Sequence, residues 1–335
     1  TESLVTLSRL VTTYLVFINL SILVYKQDFR FVFNAISLIL SLILLYDAFY
    51  VILGFNKNLE TMALDQNIVS LTGNNGNKNV MAASLLIKFP FILYFILKQK
   101  SISRIFGLFV LYIGVFALFI LNTRSTYVGL VSIFILFAST TVYFKYKQSV
   151  KSIFTPIVLF LFPIVVAFFS ANVILKNAVD IQGFQGGYGT VTKRVGDITI
   201  ASEQNSRIHL WKGAIDYAIK HPIIGAGYGN WKLASIPYEK EYTNDLFVPY
   251  HSHNDFIEMF ADIGIIGGLS FLMLFLLILL FTIKIWRNKK YSAYTLPATI
   301  SLMAIGCYFV DAFLNFPAER TSMQTMLAMS AALVY

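Results

Sequence analysis

The chain has 335 residues, of which 57% are hydrophobic and 13% charged, with a formal net charge of +9 and a mean hydropathy of +0.69. A soluble domain carries about a quarter charged residues, so this composition excludes a water-soluble enzyme. It predicts an all-α, polytopic transmembrane helical bundle, because the apolar runs are continuous and lack the alternation of an outer-membrane barrel. The single cysteine, Cys307, excludes disulfides and cysteine-based metal sites within this sequence.

About 20 apolar residues cross the hydrocarbon core of a bilayer. By that measure the sequence predicts nine spans, the last incomplete: 7–24, 31–54, 80–97, 105–121, 126–144, 153–175, 263–284, 293–316 and 321–335. The chain begins at Thr1 rather than Met and ends inside an apolar run, so we expect a fragment of a longer protein.

The short connections between these spans alternate in charge. The four loops after spans one, three, five and seven hold 12 of the 26 Lys and Arg residues and one acid. Basic residues gather on cytoplasmic loops, so these four loops are predicted to be cytoplasmic. The same rule accounts for the positive net charge, and we therefore expect membrane lipids and no nucleic acid as partners.

One predicted connection, 176–262, is long and holds ten of the seventeen acids and all four histidines. Long loops are uncommon without a reason, and function concentrates in them. We therefore divide the chain into transmembrane helices 1–6 over 1–175, a large periplasmic loop with a catalytic segment over 176–262, and transmembrane helices 7–9 over 263–335. The predicted location is a bacterial inner membrane, with the long loop in the periplasm.

The middle of the long loop predicts an amphipathic helix followed by a tight turn. Ile208, Trp211, Ile215 and Ala218 recur at helical spacing, and Pro222 ends the pattern. This helix would lie on or above the membrane. The next segment, GAGYGNW, contains alternating glycines that resemble part of a nucleotide-binding fingerprint. No strand precedes them, so a tight turn is the favoured interpretation.

The segment HSHNDFIEMFADIGIIGG, which starts at residue 251, is the most informative stretch for chemistry. Ser252, with Asp255 three residues later, predicts a capping box that opens a helix through about residue 262. His253 would then lie in the first turn, where the helix dipole favours the neutral imidazole that a general base requires. His251 and His253 are also open to two other interpretations, half of a metal site or simple hydrogen bonding of the loop.

Several basic residues are predicted near the outer membrane surface. Arg124 separates two spans, Arg207 opens the amphipathic helix, and Arg320 lies at the outer end of span eight. The alternatives are snorkelling for Arg124 and a surface pair with Glu319 for Arg320. Lys88 lies inside span three beside a proline. Guanidinium groups match diphosphate oxygens bidentately, so a histidine beside them suggests group transfer away from a diphosphate.

These segments together resemble the O-antigen ligase/polymerase superfamily of the Wzy type over roughly residues 70–320. The block HSHNDFIEMFADIGIIGGLSFL resembles its H-x-H-N hallmark, and NTRSTYVGL resembles its arginine motif. The stretch NSRIHLWKGAIDYAIKHPIIGAGYGNW resembles the Arg, Trp and Gly-x-Gly portion of its large periplasmic loop. The segments GNKNVMAASLLIKFP and DAFLNFPAER are also similar to the family, the latter less distinctively.

The resemblance implies a GT-C-like glycosyltransferase that needs no metal or other cofactor. Such enzymes move a glycan from undecaprenyl diphosphate to an acceptor hydroxyl in the periplasm. By position, Arg124 and Arg207 would bind the diphosphate. His253, favoured because Asn254 follows it, or His251 would activate the acceptor. The remaining candidates would line the cavity of the site: Lys88, Asn254 and Arg320.

The acceptor stays open at this point. Lipid A-core, for an O-antigen ligase, is favoured over a second lipid-linked glycan, for a polymerase, and over a protein hydroxyl. A lipid-glycan transporter or flippase is a more distant alternative. Such proteins carry ionisable residues near the midplane in paired broken spans. Asp47 and Lys88 are the only candidates for that role, and no repeat relates their spans.

Overall fold

A computed structural model of the protein describes residues 2–182, 188–197, 202–239 and 250–334. Over these residues the chain is all-α and contains no β-strand, as the composition predicts. The α-helices in chain order are α1 (Glu2–Lys26), α2 (Phe29–Asn58), α3 (Leu64–Ser70), α4 (Lys78–Leu86), α5 (Phe89–Lys98), α6 (Ser101–Leu121), α7 (Arg124–Lys145), α8 (Val150–Gln182), α9 (Val191–Gly196), α10 (Ser202–Lys220), α11 (Trp231–Ala234), α12 (Ile236–Glu239), α13 (Asp255–Arg287), α14 (Thr295–Leu314) and α15 (Thr321–Ala332).

Eight helical segments of the described chain are long and apolar enough to cross a membrane, which makes this a multi-pass membrane protein. They are Ser3–Lys26, Phe29–Asn58, Lys78–Lys98, Ser101–Leu121, Arg124–Lys145, Val150–Asp180, Asp255–Arg287 and Lys289–Leu314. Each coincides with one of the first eight predicted spans. The ninth prediction, an incomplete span over 321–335, stays a prediction. The helix described there, α15, has 12 residues.

The structure divides into two compact units, each assembled from separate stretches of chain. The first unit comprises Thr1–Ile22, Ile200–Lys289 and Tyr308–Tyr335. The second unit comprises Leu23–Thr199 and Lys290–Cys307. All four histidines belong to the first unit, whereas most of the predicted spans belong to the second.

Helix α6 forms the centre of the second unit, where it packs against α2, α5 and α8. The segment formed by α4 and α5 is almost wholly buried among these neighbours. It is interrupted at Lys88, because Pro90 lies in the first turn of α5 and has no N–H to continue the preceding helix. Phe89 and Phe91 on either side of this proline are fully buried, so the interruption lies inside the protein.

In the first unit, α10 packs against α13 around the buried residues Ala214, Trp231 and Ala261. The predicted amphipathic helix is confirmed as α10, although its buried side is not the predicted apolar stripe. Ala214 is fully buried, whereas Ile208 and Ile215 are exposed. Exposed isoleucines on such a helix are compatible with its predicted place at a membrane surface.

The glycine segment after α10 is the predicted tight turn. Gly225, Gly227 and Gly229 all have positive φ, at +66°, +90° and +79°. The carboxylate of Asp262 accepts hydrogen bonds from the backbone N–H of Gly229 at 2.8 Å and of Trp231 at 2.6 Å. The turn is therefore tied directly to α13.

Helix α13 is kinked between its outer turns and its apolar portion. Ile263 and Gly264 have non-helical φ values of −125° and +66°. The N–H of Ile265, freed at this kink, donates to the carbonyl of Pro222 at 2.8 Å. A helix from residue 255 to about 262, followed by a span, is thus what the sequence predicts and what the structure contains.

Candidate active site

The histidine segment ends at the N-terminus of α13, and its local structure differs from the predicted capping box. The N-cap is Asn254, whose Oδ1 accepts from the N–H of Ile257 at 3.2 Å. The hydroxyl of Ser252 donates instead to the carbonyl of Asn254 at 3.0 Å. The prediction of a Ser252–Asp255 box is therefore wrong. Asn254 caps better here because its side-chain oxygen reaches the third residue onward.

His253 consequently precedes the helix rather than lying in its first turn. It has φ of +55°, a left-handed conformation that non-glycine residues adopt rarely. Such backbone strain is found where the surrounding structure fixes a side chain for function. In this position the imidazole still lies beside the positive end of the α13 dipole.

His251 is oriented by a buried carboxylate. Its Nδ1 lies 2.8 Å from Oε1 of Glu258, one turn into α13. The second oxygen, Oε2, accepts from the N–H of Ser252 at 2.8 Å and from its hydroxyl at 3.1 Å. When Nδ1–H of His251 donates to Glu258, Nε2 of the neutral ring carries the lone pair. This arrangement provides a positioned proton acceptor.

Phe316 brings both histidines and Arg320 together. The ring of His251 stacks on Phe316 with centroids 4.4 Å apart and planes 14° apart. His253 meets the same ring edge-on at 5.0 Å, and the Arg320 guanidinium lies 4.8 Å from its centroid. The N–H of Ala318 donates to the buried carboxylate of Asp255 at 2.8 Å, which fixes this segment to the start of α13.

The electrostatic environment keeps His253 neutral. Burial, and then the positive charge of Arg207 and the neighbouring His251, lower the pKa of His253 from 6.5 to about 4, while Glu258 acts in the opposite direction. Its Nδ1 is buried and has no hydrogen-bond partner among the residues that the structure describes. Of the predicted arginines, Arg207 is thus the one whose charge lowers the pKa of His253.

Arg320 does not form the surface pair with Glu319 that the sequence offers as an alternative. Glu319 instead accepts from Nη1 of Arg9 at 2.7 Å and from Nζ of Lys232 at 2.9 Å. Burial raises the pKa of Glu319, but these two donors outweigh that effect and lower it overall. Glu319 thus ties together three distant parts of the first unit and leaves Arg320 against Phe316.

Arg124 belongs to the second unit, at the first residue of α7. Its Nη1 donates to the carbonyl of Asp197 at 2.9 Å. Two further cations flank Tyr188 in this unit: Nζ of Lys78 lies 4.1 Å and the Arg194 guanidinium 4.7 Å from its ring centroid. Neither Lys78 nor Arg194 was predicted from the sequence, because the fold alone brings them beside the α6–α7 connection.

Lys88 is also in the second unit and is engaged inside the protein. Its Nζ lies 3.0 Å from Oδ2 of Asp47 and donates to the carbonyl and hydroxyl of Ser84 at 2.7 and 2.8 Å. A charge inside a membrane span is costly unless it is paired in this way. The pair satisfies Lys88 and accounts for its presence in the buried α4–α5 segment.

Glu258 and Phe316 are the principal site residues that sequence analysis missed. Glu258 lies seven residues after His251, a spacing without a recognised motif, and Phe316 lies in a different part of the chain. Over the residues that the structure describes, no group of three His, Cys, Asp or Glu side chains is arranged to hold a metal ion.

Residues 108–272 match the family model described as O-Antigen ligase. No curated protein matches the chain. The matched region contains His251, His253, Asn254, Arg124 and Arg207, whereas Lys88 and Arg320 lie outside it.

Proposed function

The chain belongs to the O-antigen ligase/polymerase superfamily through its domain at residues 108–272, and on that premise we propose that it moves a glycan from undecaprenyl diphosphate to an acceptor hydroxyl. We place this metal-independent, inverting transfer on the periplasmic face of a bacterial inner membrane. The observation that carries the proposal is the His251–Glu258 hydrogen bond beside His253 and Arg207. The charge distribution of the short connections supports the orientation.

In the proposed step His251 acts as the general base. The acceptor oxygen attacks the anomeric carbon of the donor and gives its proton to Nε2 of His251. The bond between that carbon and the diphosphate oxygen breaks, and undecaprenyl diphosphate leaves with the bonding pair. Glu258 holds the imidazole in the required tautomer and stabilises the imidazolium that forms, since an anion beside a histidine favours its charged form.

The sequence pattern favours His253 as the base, whereas the geometry favours His251. A good general base has a pKa near the operating pH, and the pKa of about 4 makes His253 a weak one. A neutral His253 beside Arg207 is suited to hydrogen bonding the sugar or the diphosphate. We therefore assign proton transfer to His251 and substrate contact to His253.

The arginines supply the second part of the proposal. A diphosphate leaving group develops negative charge as its bond to the sugar breaks, and guanidinium groups stabilise such oxygens bidentately. Arg207 is proposed for this role because it acts electrostatically on His253. Arg124 is proposed for it by family resemblance, and Arg320 and Asn254 are proposed to line the same cavity.

The bonding of Glu258 supports the inverting course that we propose. Retaining enzymes attack the sugar with a free carboxylate. Both oxygens of Glu258 are engaged, one by His251 and the other by Ser252, so neither is free to act as a nucleophile. A direct displacement is therefore proposed. A product that retains the anomeric configuration would contradict it.

For the acceptor we propose lipid A-core, as in an O-antigen ligase. A second lipid-linked glycan or a protein hydroxyl would use the same donor chemistry. Incubating the donor with each acceptor class in separate reactions distinguishes the three, because the acceptor that receives the glycan identifies the enzyme.

The test is transfer in vitro from undecaprenyl-diphosphate glycan, with EDTA present. The variants are His251→Ala and His253→Ala, with His221→Ala as a matched control because His221 is exposed in the same unit. Transfer that survives chelation and is lost in His251→Ala supports the proposal. Loss of transfer only in His253→Ala would identify His253, rather than His251, as the general base. Abolition by EDTA would make the histidine pair a metal site, and no transfer by folded wild type would contradict the glycosyltransferase function.

A further inference from the structure

The second unit contains a cavity of 770 Å³ that shares no residue with the proposed reaction site. Its wall is formed by the ends of α5 and α7 and the starts of α6, α8 and α14. The volume lies within the about 300–1,000 Å³ typical of small-molecule sites. These helix ends belong to the connections that the charge distribution predicts to be cytoplasmic.

The wall of the cavity carries four cations. Lys98, Arg104, Lys145 and Lys151 all line it. No Asp or Glu occurs in the sequence between residues 66 and 179 or between 290 and 310, which together supply the whole wall. In the described parts of the chain, none of these four cations forms an ion pair with a carboxylate. Their positive charge is therefore not neutralised by a carboxylate of the described residues.

Two of these cations are held by hydrogen bonds to backbone carbonyls. Nε of Arg104 donates to the carbonyls of Ile96 at 3.1 Å and Gln99 at 3.0 Å, which orients the guanidinium at the start of α6. Nζ of Lys145 donates to the carbonyl of Ser152, at 3.2 Å, and so spans the α7–α8 connection. A preorganised cation loses less side-chain entropy when an anion binds.

Other residues of the wall are apolar. Phe137 and Pro156 are buried there, and Leu159 continues the apolar surface along α8. Thr140 and Thr141 also line the cavity, and along α7 they lie between Phe137 and Lys145. A ligand that matches this order has an anionic end, a polar neck and an apolar chain.

We propose that this cavity binds an anionic phospholipid of the cytoplasmic leaflet. Its phosphodiester would lie among Lys98, Arg104, Lys145 and Lys151, and an acyl chain would follow the wall of Phe137 and Leu159. Clusters of Lys and Arg at the cytoplasmic ends of helices attract anionic headgroups, and each such charge contributes separately. Free inorganic phosphate shares the charge of the headgroup but has no group for the apolar wall.

The test uses the full chain, purified in detergent, and native mass spectrometry to measure bound phosphatidylglycerol. The variant Lys98→Gln/Lys145→Gln/Lys151→Gln removes three charges from the cavity and keeps Arg104, whose Nε bonds hold the backbone. The matched control is Lys26→Gln/Lys100→Gln/Lys147→Gln, because these lysines are exposed on the same predicted face and do not line the cavity. We expect wild type and control to bind phosphatidylglycerol alike and the cavity variant to bind at least about tenfold more weakly.

A second variant keeps every charge and fills the space. Thr155→Trp places a large side chain into the cavity from an exposed position on α8, so it is expected to fold and to bind less phosphatidylglycerol. Equal losses in the cavity and control triple variants would overturn the proposal, because the effect would then be general charge attraction. Equal binding of phosphatidylcholine, or competition by inorganic phosphate at the same concentration as the lipid, would also overturn it.

Discussion

Nδ1 of His251 lies 2.8 Å from Oε1 of Glu258, and the two side chains come from opposite sides of the N-cap of α13. The other carboxylate oxygen is bonded by Ser252, so Glu258 is held before any substrate arrives. Only 8% of the Glu258 side chain is exposed, and a charge interaction at such a site is weakly screened. As the proposed base, His251 would therefore be oriented at low reorganisation cost.

Replacing Glu258 by Gln should slow transfer while leaving donor affinity close to normal. The amide retains the size of the side chain but loses the negative charge that stabilises imidazolium on His251. We expect kcat to fall by about 10²-fold or more, the scale of general-base catalysis, and the pH–rate profile to change shape. Steady-state transfer rates across a pH series measure both effects.

The control for this substitution is Glu60→Gln, which removes one exposed carboxylate from the second unit. It should leave kcat and the pH profile unchanged. A folded Glu258→Gln enzyme with the wild-type rate and profile would show that the carboxylate has no part in proton transfer.

His253 should make stability depend on pH in one direction. Since burial lowers the pKa of His253 from 6.5 to about 4, the unfolded chain binds more protons than the folded chain between these values. His253 therefore leaves the free energy of unfolding at its highest above about pH 6.5 and lowers it progressively as the pH falls towards about 4.

His253→Gln should flatten that part of the stability curve. The measurement is thermal unfolding in detergent at about pH 7.5 and about pH 5, where the decrease in Tm should be smaller for the variant than for wild type. His221→Gln, on an exposed surface, should behave as wild type. Parallel curves for wild type and His253→Gln would contradict the lowered pKa.

The rate of transfer should depend on the geometry of the Arg207 guanidinium as well as on its positive charge. Arg207→Ala should lower kcat/KM by about 10²–10³, as expected when a donor to developing charge is removed. Arg207→Lys keeps the charge but loses the bidentate geometry, so we expect an intermediate rate. Lys212→Ala, which removes an exposed cation from the same helix, is the control. Wild-type rates in Arg207→Ala would remove this residue from the site.

The same substitution has a second readout. Arg207 contributes to the low pKa of His253, so Arg207→Ala should raise that pKa. The pH range over which stability is lost should then be narrower, because its lower limit moves closer to pH 6.5. This shift separates an electrostatic contact with His253 from a purely structural role of Arg207.

The spans and the location of the histidine segment were predictable because they depend on local patterns. Apolar runs of about 20 residues identify α2 and α6 without reference to their neighbours. The turn at Gly225 was predictable because glycine adopts positive φ readily. Each of these features is encoded within one short stretch of chain.

The partners in the site were not predictable in the same way. Phe316 meets His251 from a stretch 65 positions further along the chain, and Arg9 reaches Glu319 from the first helix. The capping error has a related cause, because Ser252 is drawn away by Glu258 and leaves the cap to Asn254. Contacts between distant parts of the chain thus determine which side chains meet in the candidate site and which residue caps α13.

Gly264 should be required for the kink that separates the histidine segment from the apolar part of α13. Its φ is +66°, and a Cβ there would overlap the carbonyl of Ile223. Gly264→Ala should therefore destabilise the protein by about 1–3 kcal/mol and weaken the bond from Ile265 to Pro222. Gly306→Ala is the control, because a Cβ at that helical glycine meets no atom within 4 Å. Alanine stabilises helices relative to glycine, so Gly306→Ala should leave Tm unchanged or raise it. Comparing the Tm values of the two variants tests the kink directly, and equal values would show that α13 does not need a left-handed residue at this position.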